Sequence, residues 1–279
     1  MPNPACIICE STEKIKTYDS THQLFQCKGC DHMFTLIDEQ YSQKDIYTED
    51  YFDSSHKNWF KYPNYALFQY IHESILKQVK KKDFKLLDIG SGRGDFLNYL
   101  RNIEPASDLC GIDGAPCRSD QFKFIQGDFM KEEIGLKFDV ITSLACIEHV
   151  QDPDLFVRKI KDLLLPQGIA VIMTNNSGGM MYTLARILNK IGMHAPYNRL
   201  YSDHHIHHFT NQSLRKILEK YGFKIKSQIN HNFNLASVDY PPSGFVMALL
   251  YKIFTAIIFF LSTVFQNGFL QTVVCVPEN

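Results

Sequence analysis

Residues Leu86–Leu97 read LLDIGSGRGDFL. A hydrophobic run stops at Asp88, and glycines then take alternate positions: Gly90, Gly92 and Gly94. A short apolar run closed by turn residues reads as a buried strand. Glycines after it permit a tight turn and let the backbone come close to a ligand. A helix is expected from Gly94 and Asp95. The same punctuation recurs downstream. Leu109–Ile112, Phe122–Ile125, Phe138–Ser143, Gly168–Thr174 and Phe223–Ile229 read as strands. Helices fall over Pro153–Leu164 and Asn211–Tyr221, the second opened by Thr210 as N-cap and ended by Gly222. Alternating strands and helices predict an α/β domain with a mostly parallel sheet and helices on both faces. Ligands of such sheets bind at the carboxyl ends of the strands, where the glycine turn lies.

The chain has 279 residues, of which 45% are hydrophobic and 21% charged, enough for a full core. Its net charge of -1 lacks the basic surplus of a dedicated nucleic-acid binder. The opening MPNPACIICE has neither a basic start nor a long apolar stretch, so a cytoplasmic protein is expected, with a peripheral position at the inner face of a membrane left open. Four of the eight cysteines form Cys6-x-x-Cys9 and Cys27-x-x-Cys30. That spacing suits four thiolates on one structural Zn2+; two disulfides are the other reading. A closed four-thiolate site offers substrate no open position, so its expected job is to hold a small module with too little core of its own. Cys110, Cys117, Cys146 and Cys275 read as small apolar residues. The expected organisation is a zinc-ribbon module over 1–37, a helical linker or lid over 38–82, and the α/β domain over 83–279 with an apolar helix at 244–266. The aromatic-rich stretch Tyr47–Lys82 carries helical spacing at Leu67, Tyr70, Ile71, Ile75, Leu76 and Val79. Its aromatic residues either roof a pocket or pack between modules.

The turn departs from the dinucleotide fingerprint: the third glycine comes one residue early, and Asp95 stands where the last should be. A carboxylate there is unhelpful beside a pyrophosphate and tolerable beside a cationic sulfonium. Asp113 ends the second strand in LCGID, Asp128 and Phe129 follow the third in FIQGDFM, and FDVITSLACIEHV closes the fourth. Together these residues resemble the class I S-adenosylmethionine (SAM) dependent methyltransferases, over about residues 84–230 with a seventh strand near Gln271–Val276. The resemblance implies a Rossmann-like seven-stranded sheet, a methyltransferase activity, and SAM as cofactor. It places Asp88, Gly90, Gly92, Asp113, Asp128 and Phe129 at the cofactor: Asp113 on the ribose hydroxyls, Asp128 and Phe129 at the adenine.

Methyl transfer needs a base only where the acceptor must lose a proton. Glu148-His149 is similar to a pair in the quinone-biosynthesis O-methyltransferases. In those enzymes a further glutamate three residues earlier helps hold a divalent metal; here Ala145 stands there. YSDHHIHHFT, residues 201–210, resembles the D-H-x-x-x-F-T element of many bacterial methyltransferases, with His205 at its histidine. His149, Glu148 and His205 are thus the catalytic candidates, beside a loop-capping role for His149. His204, His207 and His208 complete the cluster, and Asp203 is the carboxylate nearest to it in sequence.

Ser177–Leu200 is apolar and methionine-bearing, at a position that supplies a substrate lid in the resembled superfamily. Phe245–Phe265 carries one charge, Lys252, and is long enough to span a bilayer. The strand expected after it favours an in-plane helix at a membrane surface; a buried or homodimer-interface helix and a true span are the other readings. The expected function is methylation of a small or lipid-linked acceptor in glycan, lipid or quinone-like metabolism, O-methylation favoured. A zinc module on this core also resembles bacterial methyltransferases of surface-polysaccharide pathways. The alternatives are a zinc-ribbon RNA base methyltransferase, disfavoured by the neutral charge, and a non-enzymatic zinc-ribbon scaffold.

Overall fold

The computed structural model describes residues 4–36, 57–117, 119–201, 205–240 and 245–278. His204, Asp203 and the stretch 38–56, the first part of the expected linker, lie outside them. The main sheet is built from β4 (Lys85–Ile89), β5 (Asp108–Asp113), β6 (Lys123–Gln126), β7 (Phe138–Leu144), β8 (Leu164–Asn175), β10 (Phe223–His231) and β11 (Leu270–Pro277). Their spatial order is β10-β11-β8-β7-β4-β5-β6. β6, β5, β4, β7 and β8 run parallel, and β11 inserts antiparallel between β8 and β10. The expected seven-stranded Rossmann-like sheet is present. β4 is buried at four of its five positions because both its faces are covered, which is why it reads as a continuous apolar run.

Helices α2 (Tyr65–Val79), α3 (Asp95–Ile103), α4 (Pro153–Leu163) and α7 (Asn211–Lys220) pack on this sheet. Their caps follow the sequence. Asn64 accepts from Leu67 N, Asp152 accepts from Leu155 N, and Thr210 forms a capping box with Ser213. A short α1 (Lys57–Lys61) precedes α2. Between β8 and α7 lie α5 (Met180–Lys190), α6 (Ala195–Leu200) and the two-residue β9 (His207–His208).

The N-terminal strands β1 (Ile15–Asp19), β2 (Leu24–Cys27) and β3 (Met33–Thr35) form an antiparallel sheet whose fourth member is β9. Cys6, Ile8, Ile15, Cys27, Cys30 and Phe34 belong to the same buried cluster as Phe156, Phe209, Leu214 and Ile217. The module therefore shares its core with α4 and α7 of the main domain. Lys220 Nζ joins them at the surface, 2.8 Å from both Glu10 Oε1 and Asp154 Oδ2.

Helix α8 (Phe245–Val264) sits between β10 and β11. It is the helix among the described residues that is long and apolar enough to cross a membrane, and 17% of it is buried. Ile258, Phe259 and Ser262 are its buried positions, and Asn232 Nδ2 donates to Phe259 O and Ser262 Oγ. Most of its other described positions are exposed, including Val246, Leu250, Phe254, Phe260 and Val264.

Candidate active site

All three glycines after β4 adopt positive φ: +71° at Gly90, +53° at Gly92 and +76° at Gly94. An L-side chain in that region costs about 1–2 kcal/mol, and space is closed as well. A Cβ at Gly90 would lie 3.0 Å from Cys146, and one at Gly94 would run into the Phe122 ring. The turn is fixed from the neighbouring strand: Gly90 N donates to Ile112 O at 2.9 Å, and Gly92 N donates to Asp113 Oδ2 at 2.8 Å. Asp113 Oδ1 accepts from Ala115 N, also at 2.8 Å. Burial raises the Asp113 carboxyl, and these N–H donors oppose the rise. Asp88, 3% exposed, is pushed up to about 7 by burial although Thr142 Oγ1 donates to it at 2.7 Å.

Asp128 is exposed and caps its own turn, Oδ1 accepting from Met130 N at 3.0 Å. Phe129 is buried edge-on against Phe156, and the Lys159 ammonium lies 4.8 Å from its ring centre. Its larger contact is therefore with the core, although it also borders the cavity.

Glu148 and His149 occupy a one-turn 3-10 helix, Ile147–His149, just after β7. Ala145, before them, has φ +57°. Ligand atoms of Glu148, His149 and His205 all lie within 4.8 Å of one another. The His149 and His205 rings are 4.9 Å apart, and Asn175 Nδ2 at the end of β8 is 3.4 Å from His205 Nε2. Thr174 Oγ1 donates to Glu148 Oε2 at 2.7 Å, and burial pushes the Glu148 carboxyl up to about 7. One carboxylate and two imidazoles suit proton transfer and suit a divalent cation equally. All three are catalytic candidates in the sequence, but there they stand as two separate places for a base, and the carboxylate nearest the histidine cluster in sequence is Asp203. Glu148 lies 57 residues away in the chain. His207 and His208 turn away instead, and burial lowers them to about 4 and about 3, so both are neutral at pH 7.

The glycine turn, Asp88, Asp113, Asp128, Glu148, His149 and His205 border one cavity of 2460 Å³. Met181, Leu188, Met193 and Leu200 of the 177–200 insertion form another part of its wall. Phe233 and the α8 residues Leu250, Phe254 and Ile257 also border it.

At the N-terminus, Cys6 Sγ lies 3.5 Å from Cys30 Sγ and Cys9 Sγ 3.4 Å from Cys27 Sγ, and all four are free thiols within 4.8 Å of one another. The edge of a tetrahedron around a Zn–S distance of about 2.3 Å is about 3.8 Å, close to both. The two knuckles match. Glu10 N donates to Cys6 O and Asp31 N to Cys27 O, with φ of 60° and 59° at Glu10 and Asp31. Gly29 N points at Cys27 Sγ from 3.3 Å. The donor set fits a closed soft-metal site.

The sequence profile described as methyltransferase domain matches residues 59–228, more than half of the chain. The chain belongs to the methyltransferase domain family. Its curated relatives include proteins named ubiquinone biosynthesis O-methyltransferase. That of Pelagibacter ubique (strain HTCC1062) is 30% identical over 137 residues, 42% of this chain and 55% of that protein. The chain spans about half the length of such relatives. Solved structures with the same fold include two methyltransferases. The plantazolicin methyltransferase BpumL in complex with S-adenosylhomocysteine has a TM-score of 0.53 at 17% identity, covering 85% of this chain and 93% of that one. The Burkholderia thailandensis 1,6-didemethyltoxoflavin-N1-methyltransferase, with bound 1,6-didemethyltoxoflavin and S-adenosylhomocysteine, has 0.51 at 12%, covering 95% and 100%.

Proposed function

We propose that this methyltransferase moves a methyl group from SAM to an oxygen of a small, apolar or lipid-linked acceptor at a membrane face. The observation that carries the reading is one cavity bordered by three things at once: the glycine turn, the Glu148–His149–His205 cluster, and the apolar α8 helix. SAM supplies an electrophilic methyl on a sulfonium. In this reading Gly90 and Gly92 leave backbone room for it, Asp113 takes the ribose, and Asp128 with the edge of Phe129 meets the adenine. Asp88 lies beneath the turn, where an ionised carboxylate favours a cationic ligand. His149 and His205 draw the proton from an acceptor hydroxyl, and Glu148 holds the resulting positive charge. Much of the acceleration comes from alignment of acceptor and methyl. The N-terminal thiolates hold a structural Zn2+, and the described residues 4–36 form a module around it.

The pH dependence has a defined sign. Glu148 is raised toward 7, so it loses its charge as pH falls through about 7. The methyl-transfer rate is therefore expected to rise with pH between about 6 and 8. Glu148→Gln should lower the rate and flatten that limb; a parallel profile in the variant would remove Glu148 from proton handling.

Membrane contact rests on the exposure of α8 around most of its circumference, because one protein partner would cover a single stripe. A full span is opposed by the five residues between Val264 and Leu270. They reach about 17 Å, whereas a bilayer core is about 30 Å thick. Phe260 and Phe265 are 67% and 68% exposed. Each buried Phe is worth about 1.5–3 kcal/mol, so Phe260→Asp with Phe265→Asp should cut partition into anionic liposomes by at least about 100-fold in a flotation assay. Equal flotation of both forms would dismiss the membrane role and favour a homodimer contact.

The acceptor class is read from a labelled methyl group. Protein, methyl-labelled SAM and cell extract are incubated and separated into organic, aqueous and RNA fractions. Label in the organic phase supports the reading. Label in aqueous small molecules keeps the enzyme and removes the lipid link; label in RNA overturns the proposal and favours a zinc-ribbon RNA methyltransferase.

A further inference from the structure

The histidine strand is held by the cysteine module. Cys27 N donates to His32 O at 2.8 Å, so His32 is fixed at the exit of the second knuckle. Its ring is fully buried, stacks on Phe34 at 6.0 Å and sits 4.8 Å from Phe209. His32 Nε2 lies 3.1 Å from His207 Nδ1, a bond between two neutral rings with one nitrogen donating. Beside it β3 pairs with β9, Met33 opposite His208 and Phe34 opposite His207. Thr35 N then donates to Ile206 O at 2.9 Å, while Ile206 N donates to Glu148 O at 3.0 Å. The residue after His205 thus bridges the module's last strand and the turn that carries Glu148.

Other anchors act farther along. Ser177 Oγ donates to His208 O, and Gln271 Nε2 donates to Phe209 O, each at 3.0 Å. Among the described contacts, the Ile206 carbonyl and the His207 ring are gripped from the module side. Residues Asp88, Gly90, Gly92 and Asp113, on β4 and β5 and the turns after them, take no part in these bonds.

We infer that the cysteine module is a positioning element of the methyl-transfer site, with His32 as the positioning residue that sets His205 against Glu148 and His149. This rests on the proposed role of His205 at the acceptor proton. It gives the closed four-thiolate site a catalytic consequence without contact to substrate. It also separates two functions of one chain: SAM is held by the main sheet, and acceptor chemistry depends on the N-terminal module.

The test uses the full chain with its metal. His32→Phe keeps the ring packing against Phe34 and Phe209 and removes the bond to His207. An error of about 1 Å at a reacting group costs on the order of 100-fold in rate. His32→Phe is therefore expected to lower kcat for label transfer into cell extract by roughly 10- to 100-fold. Metal content, SAM affinity by calorimetry and the KM for SAM should stay within about twofold, for lack of any contact between His32 and the cofactor turn. His32→Gln, which can still donate, should recover most of the rate. His207→Phe should lower kcat as His32→Phe does, and the double variant should be no worse than either single one. A kcat within twofold of the parent, or a loss of metal or SAM binding in step with kcat, overturns the inference. His205→Ala in the same assay separates the two levels. If it keeps the parent rate, the role of His205 is wrong and His32 has nothing to position. If it loses the rate while His32→Phe keeps it, only the positioning role fails.

Discussion

Replacement of Cys27 and Cys30 together by serine is expected to abolish metal binding and to unfold residues 4–36. In small modules a four-ligand zinc site contributes an apparent free energy of about 10–16 kcal/mol to folding at pH 7. Whole domains are stable by only about 5–15 kcal/mol. The effect will not stop at the module. Cys6, Ile8, Ile15 and Phe34 cover the same core as Phe156, Phe209 and Ile217, so their loss opens apolar surface on α4 and α7. The β9 strand also loses its partner β3. The measurements are metal stoichiometry by mass spectrometry and thermal unfolding. The expected result is no bound metal and a fall in Tm large enough to bring the variant near its unfolding midpoint at 37 °C. Cys117→Ala, at a thiol outside the cluster, is the control and should be silent. A double variant within about 1 kcal/mol of the parent would mean that shared packing alone holds the module, and the four-thiolate metal assignment would fall.

Much of the fold was legible because parallel strands buried on both faces leave unbroken apolar runs. LLDI, FDVITS and the run from Gly168 each mark a strand of the sheet, and Thr210 announces α7 through its cap. The first residues of β8 were hidden. Pro166-Gln167-Gly168 reads as a turn, yet Leu164 already pairs with Phe138. The glycine turn was legible as a turn because positive φ leaves few residue choices. β9 was not, since a two-residue strand has no period, and its partner β3 lies more than 170 residues earlier. Among the four clustered histidines, only the resembled D-H-x-x-x-F-T element set His205 apart in sequence. The fold sends His205 toward Glu148 and buries His207 and His208 as neutral packing and hydrogen-bonding groups. Cysteine spacing gave the sulfur cluster, because two short knuckles are local objects. What the cluster holds in place is a property of tertiary pairing, which spacing does not encode.

Asp113→Ala is expected to weaken SAM binding by about 10- to 100-fold, with two causes that experiment can separate. One is the lost acceptor for the ribose, since a hydrogen bond to a charged group is worth about 1.5–3 kcal/mol. The other is the turn itself, because both oxygens of Asp113 already hold backbone N–H groups, those of Gly92 and Ala115. Without them Gly92, at φ +53°, has one restraint fewer and the cradle must be ordered on binding. Asp113→Asn keeps one acceptor oxygen and should lie between the parent and alanine. Calorimetry with S-adenosylhomocysteine and with its 2′,3′-dideoxy analogue divides the two terms. The parent should prefer the ribose hydroxyls by at least about 10-fold, and Asp113→Ala should bind both compounds with nearly equal affinity. If the variant keeps the full preference for the hydroxyls, Asp113 is a turn-holding residue only. If its affinity for S-adenosylhomocysteine is unchanged altogether, the cofactor lies elsewhere in the cavity, and the roles given to Gly90, Gly92 and Asp88 fail with that of Asp113.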